Sequence, residues 1–394
     1  PHIAQHEHGG FCLFIKAVAS KLVAKVIMAK VSVARCDDYN PKRVFNAVKK
    51  AVDLSGGMES FVKPGMRVLL KPNLLSARVP EDAVDTHPEV VRSVVRLVRQ
   101  AGGRVRIGDS PGGYGKNIDL IFEKSGMKKM AHEEGVELVK FTSSRFVDGI
   151  PISRQVLDSD RVISIPKLKT HSITVLTAAV KNTYGCVTGL YKAECHSRFP
   201  REEEFAKVIA KVHSITKPAL SIVDGIVGME GDGPAAGRAK KLGVILAGPD
   251  AVAVDSCIAR LMGLEPFDIL VTKEAYKMGL GEGHLSRIEV LGGDLKELAF
   301  KNFKLPQTTP LRIIPRALVK RIARFIRFKP VINMSLCKRC NLCKITCPVG
   351  AMVIESDECS IDYKKCVKCL CCHEVCPYKA IYISRNFLTK MVWG

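Results

Sequence analysis

Between Met28 and about Phe300, short apolar runs alternate with segments whose apolar residues recur every three or four positions. Val31–Ala34 reads as a first strand. Pro41–Leu54 places Val44, Ala47, Val48 and Ala51 on one face of a helix. Arg67–Lys71 is a second strand, Pro88–Ala101 a helix closing at Gly102-Gly103, and Val105–Gly108 a third strand. Arg161–Ile165, Leu220–Val223 and Gly243–Ala247 have the continuous apolar character of buried strands. A helix over Ala251–Met262 ends at Gly263, with Asp250 placed as its N-cap, and Ile288–Leu291 is the last strand. This alternation predicts an α/β domain with a largely parallel sheet over residues 28–300.

The pattern changes beyond it. Arg316, Lys320, Arg324 and Arg327 recur at helical spacing opposite Ile314, Leu318, Ile322, Phe325 and Ile326. Residues 310–330 therefore read as a basic amphipathic helix within a linker, 301–330. Such a helix covers the main domain with its apolar face, which is the favoured reading. The alternative is that it lies on an anionic membrane surface or an acidic redox partner.

Charge sharpens this picture. The 394-residue chain carries a formal +22, yet residues 301–330 alone hold nine basic and no acidic residues. With 6% aromatic residues and no base-reading motif, nothing points to nucleic acid. The best apolar run, Phe11–Ile27, is broken by Lys16, Lys21 and Lys25, so it fits neither a membrane span nor a signal peptide. Residues 1–27, with His2, His6 and His8, are set aside as an extension. The expected location is cytoplasmic, with peripheral membrane contact open through 310–330.

Fifteen cysteines remain. From Cys337 and from Cys366, 29 residues apart, the chain twice spells C-x2-C-x2-C-x3-C-P. Ala351 with Ala380 and Ile354 with Ile383 extend the duplication. Three cysteines on one tight loop suit three irons of a cube, and the fourth ligand comes from the other copy. This assigns Cys337, Cys340, Cys343 and Cys376 to one [4Fe–4S] cluster, and Cys366, Cys369, Cys372 and Cys347 to a second. Zinc sites present ligand pairs around one ion and fit the doubled run poorly. Ile345, Val349, Ile354, Val375 and Ile381 are expected to shield the clusters. Cys371 aligns with Leu342 and, like Cys359, lies outside the pattern; His373 reads as a surface histidine. Residues 331–394 thus form a small α+β module that resembles the bacterial dicluster ferredoxins. The resemblance implies one-electron transfer.

Within the α/β domain, polar residues follow three strands: Lys71-Pro72-Asn73, Gly108-Asp109-Ser110-Pro111-Gly112-Gly113, and Pro166-Lys167-Leu168-Lys169-Thr170-His171. Ligands of open α/β sheets bind beyond the carboxyl ends of strands. Lys71, Asp109, Lys167, Lys169 and His171 are therefore expected to converge as catalytic groups on an anionic small molecule. Lys167, Lys169 and His171 share parity in an extended chain. A glycine-rich stretch, Asp224–Pro234, carries Asp224, Glu230 and Asp232; it reads as a metal or acid/base loop, or as a plain turn.

These stretches, with Thr86-His87-Pro88 and Lys181-Asn182, resemble the family called domain of unknown function 362, over about residues 30–295. That family is often followed by a dicluster ferredoxin module. It is distantly similar in fold to nickel-dependent lactate racemase, a likeness that carries neither nickel nor racemisation with it. The expected function is an iron–sulfur redox protein passing electrons through two [4Fe–4S] clusters to or from a site or partner at the α/β domain, with an oxidoreductase activity left open. The alternatives are a non-catalytic carrier that docks a redox partner protein, and a ligand-binding enzyme with structural clusters. Anaerobic reconstitution is expected to load about eight irons per chain. Stoichiometric zinc, without iron-dependent visible absorption, would contradict the assignment.

Overall fold

The computed structural model describes residues 28–111, 118–199, 201–306, 328–355 and 358–385. The extension 1–27 and the basic helix expected up to residue 327 lie outside them. The strands of the larger domain are β1 (Ala29–Arg35), β2 (Arg67–Pro72), β3 (Arg104–Asp109), β4 (Glu137–Lys140), β5 (Ser144–Val147), β6 (Ile150–Ser153), β7 (Arg161–Ile165), β8 (Lys167–His171), β9 (Val175–Thr177), β10 (Leu220–Glu230), β11 (Arg238–Gly248) and β12 (Ile288–Leu291). Ten of them form one sheet, in the order β12-β1-β11-β10-β7-β2-β3-β4, with β8 on β10 and β9 on β8. Most neighbours are parallel; β11 runs against both β1 and β10.

Both faces of this sheet are covered, which explains its apolar strands. Val68 and Leu70 of β2 pack with Val44, Val48, Val90 and Val94 of the helices Pro41–Leu54 and Pro88–Gln100. Leu69, from the same strand, packs with Ile209, Val252 and Ile258 of Glu202–Thr216 and Ala251–Leu261 on the opposite face. Side chains capture the exposed N–H groups at helix starts. Asn40 Oδ1 accepts from Lys42 and Arg43, His87 Nδ1 from Glu89, and Asp250 Oδ1 from Val252 and Ala253.

One expectation is corrected here. The glycine-rich stretch from Asp224 is a loop only beyond Glu230: β10 runs through Glu230, paired with β11 on either side of a bulge at Ile226, and residues 231–234 turn. Its carboxylates are occupied by ion pairs. Glu230 faces Arg238 and Lys240 at 2.5 and 3.0 Å. Asp224 Oδ2 lies 2.8 Å from Lys167 Nζ, and both groups are fully buried. Tyr39 completes the knot, its hydroxyl donating to Asp224 Oδ1 and accepting from Lys167.

The C-terminal module is built by its duplication. Its strands are β13 (Phe328–Ile332), β14 (Met352–Glu355), β15 (Glu358–Ile361) and β16 (Ile381–Arg385). β13 pairs with β16, and β14 with β15, both antiparallel. The first strand of the first copy thus pairs with the last strand of the second, so neither copy closes alone. Phe328–Pro330, expected at the end of the linker helix, belongs to β13.

Replacing Lys167 with Met leaves Asp224 buried without its cation. The free energy of urea unfolding at pH 7 is expected to fall by about 3 kcal/mol, with iron content unchanged. A loss below about 1 kcal/mol would show that the pair contributes little.

Candidate functional site

The cysteine runs shape their own backbone. Arg339 and Asn341 in the first copy, and Lys368 and Leu370 in the second, all have positive φ, as do Gly350 and Lys379. Each pair is separated by the 29-residue repeat. Such left-handed residues curl the chain so that successive amide groups face a common anionic centre. Short helices then start at Leu342 and at Cys371, equivalent positions, which sets Cys372 opposite Cys343. The fourth cysteine of each run accepts the same amide: Ala351 N donates to Cys347 Sγ at 3.2 Å, and Ala380 N to Cys376 Sγ at 3.3 Å.

These cysteine runs suit iron–sulfur ligation, and one of the two expected sets shares a cavity. Cys337, Cys340, Cys343 and Cys376 line one cavity with Ile332, Ile354 and Ile381. Burial, with the nearby Cys369, Cys343, Cys366 and Cys347, pushes the Cys372 thiol up, a cost that bound cations relieve. Among the described residues no three Cys, His, Asp or Glu side chains gather as a single metal ion would need. A cube spreads its thiolates over separate corners instead. Two expectations change, and one cysteine outside the motif joins the first set. Cys359 lines the first cavity, although it lies outside the motif. Ile345 is exposed rather than shielding, whereas Val375 and Ile381 are buried. His373 is buried, not on the surface, its ring nitrogens 2.7 Å from the Ile381 carbonyl and 3.3 Å from the Asp232 carbonyl of the larger domain.

The second constellation stands at the carboxyl ends of β2 and β3, where the strand order reverses around β2. Lys71, fully buried, lies 2.8 Å from Asp109 Oδ1 and donates to the Pro72 carbonyl and Asn182 Oδ1. Asp109 also accepts from the amides of Leu74 and Ser110. Gly185 sits so close to this pair that a Cβ would collide with both side chains. Lys181 and Asn182 lie on the turn of helix Ala179–Asn182, whose first amides, Ala179 N and Val180 N, donate to buried Asp255. Lys192 Nζ holds the loop after β3 through Ser110 Oγ and the Ser110 and Pro111 carbonyls.

A cleft opens above the pair. Asp109, Lys181, Asn182, Lys192 and His196 line it from the larger domain, and Thr346, Cys371, Glu374 and Val375 from the C-terminal module. Burial lowers Lys181 to about 8, with Glu374 opposing the shift. His171 is lowered to about 3, first by burial and then by Lys181. It is thus neutral at pH 7, with Nδ1 accepting from the Ile173 and Thr174 amides. Its Nε2 lies 3.1 Å from Glu374 Oε1, without the alignment of a hydrogen bond. Burial opposes ionisation of Glu374, but His171, His196 and Lys181 hold its carboxyl below the usual carboxylate range.

Of the five expected groups, only Asp109 lines the cleft; Lys71 is its buried ion-pair partner, and His171 meets the lining residue Glu374. Lys167 does not line it, being held by Asp224 and Tyr39. Lys169, lowered to about 7 by burial, donates to the Val84 carbonyl beneath. Parity along β8 is as expected, but each side chain finds its own partner. Sequence reasoning missed Lys181, Lys192, His196 and Glu374. Lys181-Asn182 was visible as a motif without a role; the others follow no strand and carry no local signal. Gly112 and Gly113 lie outside the described residues.

Comparison with known proteins agrees with this architecture. The family described as Domain of unknown function (DUF362) matches residues 68–260, and the 4Fe-4S binding domain matches 330–353 and 360–382. The thylakoid-associated protein sll1697 of Synechocystis is 33% identical over 312 residues, covering 77% of this chain and 96% of that protein. The lactate racemase apoprotein of Thermoanaerobacterium thermosaccharolyticum aligns at a TM-score of 0.35 and 11% identity, over 58% of this chain and 55% of that one, too weakly to support the expected likeness of fold. With its strand-end cleft closed by an iron–sulfur module, and a relative matched over nearly its whole length, the chain belongs to the DUF362 family and carries a C-terminal 4Fe-4S binding domain.

Proposed function

We propose that this protein passes electrons, through two [4Fe–4S] clusters, to a small anionic molecule held in the strand-end cleft, as an oxidoreductase. One observation carries the reading: the helix bearing Cys372 is itself a wall of the cleft. Cys371 and Glu374 of that helix, and Thr346 beside Cys347, face Asp109, Lys181 and Asn182. When bound, the clusters supply one-electron transfer; everything else falls to side chains. The Lys181 ammonium attracts the anion, Asn182 and the Lys71–Asp109 pair hold the turn that carries Lys181 in place, and Lys192 holds the loop after β3. Lys181, near 8, can hold or give a proton close to neutral pH. A carrier that used its larger domain only to dock a partner would have no need of these buried ionisable groups.

We further propose a cytoplasmic location with peripheral contact to a membrane. The basic pattern of 310–327 and the thylakoid association of the Synechocystis relative support it. No helix among the described residues is long and apolar enough to cross a membrane.

Two measurements test this function. For the clusters, Cys371→Ser and Cys359→Ser are expected to retain full iron content and both EPR signals, whereas Cys372→Ser loses or converts one cluster. The opposite result would move the ligand register by one residue. For the cleft, acetate and inorganic phosphate serve as probes, titrated into the cluster-loaded protein by calorimetry. The ammonium of Lys181 binds them below its pKa, so affinity is expected to fall as pH rises through about 8. Lys181→Met should bind them about ten-fold more weakly and lose that pH dependence. Equal affinity and an unchanged profile in the variant would end the cleft reading.

A further inference from the structure

The two sets of cysteines do not face the same way. Thr346 and Cys371, which line the cleft, are chain neighbours of Cys347 and Cys372, ligands of the second cluster. The first cluster's ligands face elsewhere. Cys340 lies in a groove on the seam between the modules, with Leu342, Pro377 and Tyr378 on one side and Val79 and Leu120 on the other. Of the eight expected ligands, Cys340 alone is exposed.

The composition of this groove suits a docking surface. Val79, Leu120 and Tyr378 are 49%, 42% and 45% exposed, large values for apolar side chains gathered in one place. Around them the charge is basic. Lys124 and Arg78 line the groove, and Lys338 and Arg339 flank Cys340 in sequence and are exposed. Arg78 and Asp82 pair at 3.3 Å and cancel, so Lys124 supplies the net charge of the lining. An apolar centre with a charged rim is the anatomy of a transient protein interface. Its sign selects the occupant, because complementary charge steers encounter. The chain's own segment 307–327 is itself basic and would be repelled. An acidic protein is attracted.

We propose that this groove docks an acidic one-electron carrier protein against Cys340, so that the first cluster receives the electron and the second faces the cleft. One electron leaves the reduced carrier, which is oxidised by one, and one [4Fe–4S] cluster goes from its 2+ to its 1+ state; no bond is made or broken. The inference rests on the electron-transfer reading of the clusters. Its test measures docking itself, so it can fail while the cleft reading stands.

The module's duplication provides the internal comparison. In the second run Lys368 stands where Arg339 stands in the first, and Lys365 precedes Cys366; both are exposed. The experiment uses the full cluster-loaded chain and an oxidised acidic flavodoxin as probe, with dissociation constants from calorimetry at low and moderate salt. Lys124→Glu, on the larger domain's side of the groove and outside the cysteine runs, and the pair Lys338→Glu with Arg339→Glu are each expected to weaken binding about ten-fold. The pair Lys365→Glu with Lys368→Glu should change it by no more than about two-fold. Iron content and EPR spectra identify any variant that disturbs its cluster; Lys124→Glu then decides alone. Rates of reduction by the photoreduced flavodoxin should follow the same order. The proposal is overturned if the wild type does not bind the carrier, if Lys124→Glu binds as well as wild type, or if the Lys365 and Lys368 pair carries the larger loss.

Discussion

The ion pair between Lys71 and Asp109 is the constraint on which the functional end of this molecule is built. Both charges are almost wholly removed from water. A buried pair survives only when its remaining donors and acceptors are satisfied, and here they are. Pro72 and Asn182 take the other Lys71 protons, and two backbone amides take the remaining capacity of Asp109. The pair therefore ties β2 to β3, and both to the turn carrying Lys181, Asn182 and Gly185. The same satisfaction that makes it stable makes it unavailable: Lys71 has no proton left to offer a ligand. Lys181, one turn away, has no such partners among the described contacts and projects into the cleft.

Along β8 the logic is similar but graded. Lys167, Lys169 and His171 point the same way, and all are buried. Yet Lys167 closes on Asp224 within the sheet, Lys169 on the Val84 carbonyl, and His171 on Glu374 of the other module. The strand is a spine that runs from the interior of the sheet to the iron–sulfur module. Asp232 and Arg78 add further contacts to that module, through His373 and the Cys376 carbonyl. The seat of the C-terminal module is thus polar and specific rather than a generic apolar patch.

Much of this was legible in the sequence, for identifiable reasons. The apolar strands and the helix faces of Pro41–Leu54 and Pro88–Gln100 follow from periodicity, because both faces of the sheet are covered. The duplication was legible down to register, since cluster geometry dictates cysteine spacing; even the left-handed residues recur at the 29-residue interval. What could not be read was pairing at long range. Asp224 looked like part of a glycine-rich loop because the glycines of β10 resemble a turn in one dimension. Only the strand partner β11 shows that they are ladder positions where side chains from Leu168 and Leu242 press close. His373 looked exposed because a lone histidine on a short helix carries no sign of the second domain that covers it.

The surplus of buried basic residues at the junction of the modules has two electrostatic claims on it. Lys169 and Lys181 lie in surroundings that lower them to about 7 and 8, so their ammonium forms are kept only by nearby negative charge. Asp85 and Glu374 supply part of it. An iron–sulfur cluster held by four thiolates is a net anion, and becomes more so when reduced. The helix that carries Cys372 brings that anion to the same wall of the cleft. The charge that would hold a small anion in the cleft is therefore the charge that would favour an electron on the nearer cluster. On the proposed function, both anions would draw on the Lys181 ammonium, so occupancy of one would alter the stability of the other. Binding and reduction at this wall would thereby be thermodynamically linked.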